Sequence, residues 1–367
     1  MRKFAVFLFF VFLVGCAYQS DTAQITPTIL VSDPTKNAIQ PTQAINSDAF
    51  TSATRITSVQ SVLFLTRWMS SGKILCRGCN LPGSSGSIEW GIIDPLSDTF
   101  LDISNLEYYF TPKELEVVKK NNNKIYDFLF SPSGNKVIIE TRELTNLPIL
   151  HNRTNEYYYH LYLLSRIDGK IINVPMNIEF CSPPSIAELV QWSEDEIFLL
   201  GECRKITGGG RTSILLNLNT STIFDLRELV NSEEAVSAAL SPDGRKIAIT
   251  NSEQFLWLFE MDDQENIHFI TKFYVGMVDH LEWSNDNISL YFSTQESITD
   301  LQSRELRKIN TITFESNTIL DYSSIKEIIP KNQFGPYGYF SGIWSISPNN
   351  DRLWITNNTN LWILANE

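Results

Sequence analysis

The sequence predicts an all-β protein, a β-propeller built from four-stranded blades. Three observations lead to this class: a turn motif that recurs six times, strand-like runs of alternating polarity around each copy, and an aromatic content of 12%, which is typical of β-structure. An apolar fraction of 43% is sufficient for a packed core. We therefore expect most of the chain to fold as one repetitive β-domain.

The recurring motif is a tight turn between two strands. Its clearest copies span Phe130–Val137, Leu240–Ile247 and Ile346–Leu353, and looser copies begin at Trp68, Trp192 and Trp283. The second position of the motif recurs at intervals of 62, 62, 48, 43 and 63 residues; it is held by Met69, Ser131, Ser193, Ser241, Ser284 and Ser347. Such intervals are typical of propeller blades and longer than most solenoid repeats.

Each copy predicts a hairpin, and the residues after it supply two further strands. In Ser241-Pro242-Asp243-Gly244, Pro presets φ and Gly accepts a positive φ. An alternating run follows the turn, and two more apolar runs come before the next copy. This order predicts four strands for each repeat, the composition of a propeller blade.

The turns resemble those of the TolB-like (WD-repeat-like) propeller family. Blades of that family repeat a turn of the form Φ-Ser-Pro-Asp-Gly-x-x-Ile/Leu-Ala, followed by a strand with a Leu-Trp or Leu-Tyr pair. Ser241–Ile249 with Leu256-Trp257 is the best match, whereas the copies at Trp68 and Trp192 lack the Pro. The resemblance runs from about residue 56 to the end, and it implies a fold rather than a task, because propellers have many functions.

Six blades account for the strands, although seven remain possible. The last repeat offers only three strands, at Ile343–Ser347, Leu353–Thr356 and Leu361–Leu364. Arg55–Gln60 precedes the first repeat and belongs to no blade, so we predict that it closes the last one and removes an open sheet edge. Thr111–Lys120 is predicted to be a short helical insertion, and Ile325–Tyr339 a long loop.

The N-terminus has the pattern of an export signal. Arg2 and Lys3 precede twelve apolar residues, Phe4–Gly15, too few to span about 30 Å of hydrocarbon as a helix. The stretch ends in Leu13-Val14-Gly15-Cys16, which resembles the lipobox of bacterial lipoproteins; the alternative is an ordinary apolar start with a chance cysteine. The resemblance implies cleavage between Gly15 and Cys16, and diacylglyceryl and acyl chains such as palmitate on Cys16.

Three segments follow from these patterns. Residues 1–15 are predicted to be a lipoprotein signal peptide, and residues 55–367 the propeller domain. Residues 16–54 are rich in Ser, Thr, Gln, Asn, Asp and Pro without apolar periodicity, and they are predicted to form a lipidated, flexible tether. The location expected for the protein is extracytoplasmic, on a bacterial cell membrane whose identity the sequence does not resolve.

Four cysteines remain beside Cys16, an even number in an oxidising compartment. Antiparallel pairing of two predicted strands brings Cys203 near Cys181, so we expect either a disulfide or two buried thiols. Cys76-Arg77-Gly78-Cys79 follows a strand rather than opening a helix, and no second ligand pair accompanies it. We therefore favour a local Cys76–Cys79 disulfide over the redox and zinc interpretations.

Composition and motifs favour a binding protein without a metal or cofactor. The formal net charge is −13, which disfavours contact with nucleic acid. The four His residues are dispersed, there is no Gly-x-Ser-x-Gly, and Gly208–Arg211 lacks the helix that a phosphate-binding loop requires. Asp262, Asp263 and Glu265 lack calcium-loop spacing. No catalytic residue is therefore assigned.

Two functions remain, and the first is binding of an extracytoplasmic protein, peptide or glycan. The contact surface would be the channel mouth or the loops near Tyr157–Tyr159, Gly208–Arg211 and Gln333–Tyr339, unless those aromatic residues pack between blades. The alternative is a glycoside hydrolase or lyase with paired carboxylates. Its candidates lie on predicted innermost strands: Asp127, Glu188, Asp279 and Glu282.

Overall fold

Six four-stranded antiparallel blades form the ring, which confirms the predicted propeller and its blade count. The computed structural model describes 14 stretches of the chain, which are residues 42–43, 50–59, 61–69, 71–83, 87–105, 110–119, 124–144, 157–174, 188–204, 211–232, 237–295, 303–329, 344–356 and 360–365. Before the ring, the chain forms strand β1 (Thr42–Gln43) and strand β2 (Ser52–Ile56).

The first three blades follow one another along the chain, each ordered from the innermost to the outermost strand. Blade 1 contains β3 (Ser61–Trp68), β4 (Ile74–Asn80), β5 (Ser87–Asp94) and β6 (Thr99–Asp102). Blade 2 contains β7 (Lys124–Phe130), β8 (Lys136–Leu144), β9 (Tyr157–Ser165) and β10 (Ile171–Val174). Blade 3 contains β11 (Glu188–Trp192), β12 (Phe198–Arg204), β13 (Arg211–Asn217) and β14 (Thr222–Asp225).

The last three blades complete the ring. Blade 4 contains β15 (Ser237–Leu240), β16 (Lys246–Thr250), β17 (Phe255–Met261) and β18 (Ile267–Tyr274). Blade 5 contains β19 (Met277–Trp283), β20 (Ser289–Gln295), β21 (Glu305–Asn310) and β22 (Glu315–Asp321), and β1 adds parallel to its outer edge. Blade 6 contains β23 (Trp344–Ile346), β24 (Arg352–Thr356) and β25 (Leu361–Ala365), with β2 as its fourth strand.

The N-terminal strand closes the ring as predicted, but it lies earlier than expected. β2 pairs antiparallel with β25 from Ser52 opposite Ala365 to Ile56 opposite Leu361. The closing strand is therefore 52–56 rather than Arg55–Gln60, and Phe50 and Val59 on either side of it are buried. The closure joins the two ends of the described domain in one sheet, and it covers the outer edge of β25.

Helices fill three of the six grooves between blades. Helix α1 (Pro112–Lys119) packs between blades 1 and 2, α2 (Leu226–Leu229) between blades 3 and 4, and α3 (Tyr322–Ile328) between blades 5 and 6. The insertion predicted at Thr111–Lys120 is thus confirmed, whereas the loop predicted at Ile325–Tyr339 begins inside a helix. Asp321 caps α3, because its carboxylate accepts the Ser324 N–H at 2.7 Å.

Tryptophan hydrogen bonds cross the other three grooves. The indole Nε1 groups of Trp68, Trp192 and Trp283 donate to backbone oxygens of the preceding blade, at Ser345 (3.0 Å), Leu129 (3.2 Å) and Ala239 (3.1 Å). These are the three motif copies that lack Pro. Helix-filled and tryptophan-bridged interfaces therefore alternate around the ring.

The motif turn has the same length in blades 2 to 6 and is one residue shorter in blade 1, where the Met69 N–H donates to the Lys73 oxygen. The fourth residue of the turn, counted with Met69, Ser131 and their equivalents as the first, has a positive φ of 59–73°. These residues are Gly72, Gly134, Glu196, Gly244, Asn287 and Asn350. In five blades the buried Ser hydroxyl accepts the N–H that opens the next strand, as between Ser241 and Lys246 at 2.7 Å. The Ser hydroxyl thus stabilises the turn by a side-chain hydrogen bond, which also forms in the turns of blades 3 and 5 that lack Pro.

The two sides of the ring are built differently. The side that we call the turn face carries the motif turns (69–73, 131–135, 193–197, 241–245, 284–288, 347–351) and the turns between third and fourth strands (95–98, 166–170, 218–221, 262–266, 311–314). The opposite side, the loop face, carries the connections between second and third strands and between successive blades. No helix in the described part of the chain is long and apolar enough to cross a membrane.

Candidate functional site

The three predicted contact segments all belong to the loop face. Tyr157–Tyr159 forms the first residues of β9 rather than a loop, at the end of the strand on this face. Gly208–Arg211 leads into the corresponding end of β13, and Gln333–Tyr339 lies between β22 and β23; residues 208–210 and 333–339 are outside the described residues. The strand topology therefore brings three segments that are distant in sequence to the same side of the ring.

The loop face also has the longest connections. The segments 103–123, 145–156, 175–187 and 322–343 each join strand ends on this side, whereas no turn on the opposite side exceeds five residues. Long connections on a rigid β-scaffold are the usual location of contact residues, because they vary without disturbing the strands. The loop face is accordingly the candidate binding surface.

Asp127, one of the four candidate carboxylates, forms an ion pair between blades. Its Oδ1 lies 2.7 Å from Nη2 of Arg67 on β3, and the pair is largely buried. Burial raises the pKa of the Asp127 carboxyl, while the charge of Arg67 and the N–H groups of Phe128 and Leu189 oppose that rise. Asp127 thus connects blade 1, blade 2 and blade 3 near their inner strands.

Glu140 is a second buried carboxylate beside Asp127, and the sequence reading missed it. It lies directly opposite Asp127 in the β7–β8 pairing and is fully buried. Directly opposite side chains of an antiparallel pair are neighbours on one face of the sheet. Blade 2 therefore holds two acidic residues side by side, and the charges of Arg67 and Arg77 on the neighbouring blade oppose the rise that burial causes in the pKa of Asp127.

Glu282 connects blades 5 and 6. Its carboxylate accepts the Ser345 hydroxyl at 2.8 Å and the Ile346 N–H at 3.1 Å. His280 Nε2 lies 3.8 Å from the same carboxylate, and the His280 ring stands edge-on against Trp344 at 4.7 Å. These partners explain the position of Glu282 as a contact between neighbouring inner strands.

The two candidate carboxylates with described side chains, Asp127 and Glu282, do not form a pair. Asp127 and Glu282 belong to blades 2 and 5, which stand opposite each other in a six-bladed ring. Glu188 is the first residue of β11 and pairs with Glu202 on β12. Asp279 lies where the register between β19 and β20 shifts. The side chains of Glu188 and Asp279 are outside the described part of the chain.

The described cysteines are all disulfide-bonded. Cys76 and Cys79 on β4 are joined by a disulfide, with Cα atoms 6.2 Å apart, and both side chains are fully buried. Cys203 on β12 is also disulfide-bonded. Its expected partner Cys181, and Gly15 and Cys16 of the predicted signal, lie outside the described residues.

Two partly buried carboxylates on the turn face, Glu196 and Asp286, have lowered pKa values. Although burial alone would raise the pKa of Glu196, hydrogen bonds from Ser133, Ser131 and Lys136 lower it overall. Asp286 behaves in the same way, since its burial is outweighed by bonds from Ser284 and Ser289. Among the described side chains, no group of three or more His, Cys, Asp or Glu could hold a metal ion. These acids therefore stabilise turns.

Comparison with known sequences gives one short similarity. No protein-family model matches the chain. A stretch of 114 residues, 31% of this chain, is 30% identical to a protein of Sulfurisphaera tokodaii named "Putative Tricorn-like protease C-terminal subunit". The match covers 13% of that protein's length. The similarity is thus confined to a small part of a much longer protein.

Solved structures with similar architecture include several propellers. TolB from Acinetobacter baumannii matches with 13% identity and a TM-score of 0.41, over 76% of this chain and 59% of TolB. A chain of the Mitotic Checkpoint Complex matches with 12% identity and a TM-score of 0.49, over 90% of this chain and 95% of that one. The Myceliophteria thermophila Cps50 (Swd1) propeller domain matches with 11% identity and a TM-score of 0.46, over 87% of this chain and 99% of that domain. The six-bladed assignment itself rests on the strand pairing of the chain.

Proposed function

We propose that the protein is a membrane-anchored extracytoplasmic lipoprotein whose propeller binds a protein, peptide or glycan through its loop face. The observation that carries the proposal is the division of the ring into two unlike faces. All long connections, and all three segments predicted to make contacts, belong to one of them. A rigid closed scaffold with long loops on one side is suited to recognition.

The membrane anchor is supported by the N-terminal sequence. Leu13-Val14-Gly15-Cys16 follows a basic start and twelve apolar residues. Each CH₂ of an acyl chain on Cys16 contributes about 0.8 kcal/mol to membrane binding, so two or three chains form a firm anchor. The disulfide between Cys76 and Cys79 is consistent with an oxidising compartment.

Metabolic labelling with a palmitate analogue tests the anchor. We expect label in the full chain and in a Ser20→Ala control, and none in a Cys16→Ser variant, which should also leave the membrane fraction or keep its signal. An unlabelled wild-type protein in the soluble fraction would contradict the anchor.

Affinity purification from detergent-solubilised membranes tests the binding function. The full chain carrying a C-terminal tag is compared with a variant in which residues 146–155, between β8 and β9 on the loop face, are replaced by a short Gly-Ser linker. We expect a specific partner or glycan with the wild type and its loss with the variant, while both melt at similar temperatures. Identical profiles for the two proteins would contradict the assignment of this loop.

An assay for turnover tests the competing enzymatic function. The full chain is incubated with aryl glycosides and cell-wall polysaccharides, with Asp127→Asn and Glu282→Gln as variants. Binding without turnover supports a recognition role. Turnover that either substitution reduces by several orders of magnitude would favour a glycosidase or lyase instead.

A further inference from the structure

The N-terminal segment reaches the propeller at the turn face. Ser52 pairs with Ala365, and Ala365 also pairs with Arg352, the residue that follows the motif turn of blade 6. Further upstream, Thr42 and Gln43 pair with Glu315 and Ser316, directly after the turn 311–314 of blade 5. Both described points of the segment therefore lie on the turn-face side of blades 5 and 6.

The same face carries the most exposed large apolar side chains of the described chain. Leu96, Ile167 and Ile312 are 76%, 78% and 63% exposed. Each lies in the turn between the third and fourth strands of its blade, in blades 1, 2 and 5. The corresponding turns of blades 3 and 4 have polar residues there, Asn219 and Asp263. The apolar tips thus occupy the part of the rim that includes the entry of the N-terminal segment.

We propose that the turn face rests on a lipid surface, with Leu96, Ile167 and Ile312 inserted at the boundary between headgroups and acyl chains. This inference rests on the proposed lipid anchor at Cys16. Only 25 residues, 17–41, lie between Cys16 and Thr42, and the shortest path from the anchor to the fold ends at this face. An anchored protein meets the membrane at high effective concentration, so three aliphatic side chains suffice to orient it.

The charges of the turn face specify the lipid. Exposed or partly exposed acids such as Glu194, Asp243 and Asp263 lie in the turns of blades 3 and 4 on the same face, and the protein has a formal net charge of −13. The negative charge of the protein would repel anionic headgroups but not zwitterionic headgroups. We therefore infer a preference for phosphatidylcholine-like surfaces. In this orientation the loop face points away from the membrane, towards its partner.

An environment-sensitive fluorophore tests the orientation in the lipidated full chain. The probe is attached to Leu96→Cys on the turn face or to Glu253→Cys on the loop face, and each protein is reconstituted into phosphatidylcholine vesicles. We expect blue-shifted emission at position 96 only. Solvent-like emission at both positions, in protein that still floats with the vesicles, would overturn the proposal while leaving the anchor intact. Protein that fails to float would overturn the anchor instead.

A second experiment removes the anchor and measures the tips alone. Flotation of residues 17–367, which carry neither the lipid nor the apolar signal, with phosphatidylcholine vesicles is compared with that of the same chain carrying Leu96→Asn, Ile167→Asn and Ile312→Asn. We expect the partition coefficient to fall by about tenfold or more. A control with Leu101→Asn and Ile270→Asn, on outer strands, should change it little. Equal partitioning of the tip variant and the unsubstituted chain would contradict the proposal.

Discussion

The turn face and the loop face are made by the same strands, yet they differ in how their connections are held. On the turn face, bonds link neighbouring motif turns: the Glu194 N–H donates to the Pro242 oxygen at 2.5 Å, and the Asp243 N–H to Asn287 at 2.9 Å. Asn285 continues the series by donating to Pro348 at 2.6 Å. The loop face has connections of up to 22 residues instead.

This difference indicates that the two faces have different tasks. Short turns with buried Ser hydroxyls and ionised carboxylates define the blade geometry, so substitutions there should lower stability. Outside helices α1 and α3, whose apolar residues pack into the core of the ring, the long connections are free to differ from blade to blade, so substitutions there should change recognition. The four predictions below test which contacts stabilise the ring, beginning with the largest expected effect on stability.

Loss of the closing strand should be the most damaging change. Deleting residues 17–59 removes β2 and the buried Phe50 and Ile56, and it exposes the edge of β25. We expect the melting temperature to fall by roughly 10 °C or more. Deleting residues 17–41 should lower it by less than about 2 °C, because β2 is retained. Equal melting temperatures for the two truncations, measured by circular dichroism, would contradict ring closure by this strand.

Breaking the ion pair between blades 1 and 2 should have the next largest effect. Asp127→Asn leaves the largely buried Arg67 guanidinium without its carboxylate partner, which costs about 3 kcal/mol in the free energy of unfolding. The ion pair of Arg245 with Asp263 on the turn face provides the control, since both side chains are mainly exposed. Asp263→Asn should cost less than about 1 kcal/mol. Similar losses in urea denaturation would show that Asp127 is not a structural contact.

The tryptophan bridges should have an intermediate effect. Trp283→Phe removes the buried indole bond to the Ala239 oxygen and should cost about 1–2 kcal/mol. Trp354 is a matched control, because its buried Nε1 has no hydrogen-bond partner within the described structure. Trp354→Phe should therefore be less destabilising than Trp283→Phe. The reverse order in chemical denaturation would argue against the bridge as a stabilising contact between blades 4 and 5.

The smallest effect should be the contribution of Glu196 to the pH dependence of stability. Its folded-state pKa is lowered, so its stabilisation is complete above the unfolded pKa and disappears as the pH falls through the folded pKa. Glu196→Gln should therefore destabilise the protein at neutral pH, by less than about 1 kcal/mol, and the difference should shrink towards about pH 3. Glu253→Gln on the loop face is the control. A difference that grows on acidification would contradict the assigned sign.

The repeat made the fold predictable, and the same repeat contained signals that the sequence reading left unused. The hairpin at Ser131 places Asp127 opposite Glu140 by counting back from the turn, so the second buried carboxylate could have been found. Trp occupies the first motif position in the three copies that lack Pro. This pattern indicates which interfaces between blades are bridged by a tryptophan hydrogen bond. Helix α3 was missed because its seven residues, about two turns, follow β22 without a break.

Other features depend on contacts that no local pattern encodes. The closing strand was predicted a few residues late, since Ser52–Ile56 is polar and its register is determined by β25 rather than by its own sequence. The bonds that join neighbouring turns, such as Asn285 to Pro348, connect residues 63 positions apart. Pairings of this kind arise only once the ring has closed.

Site-specific photocrosslinking in cells tests most directly the claim that the loop face binds a partner and the turn face does not. A benzophenone amino acid is placed in the full chain at exposed positions of the loop face (Asn231, Ser252, Tyr274) or of the turn face (Ser97, Asn219, Gln264). We predict crosslinks to a discrete protein or glycan from the loop-face positions and none from the turn-face positions. A discrete partner captured only from the turn face would contradict the account.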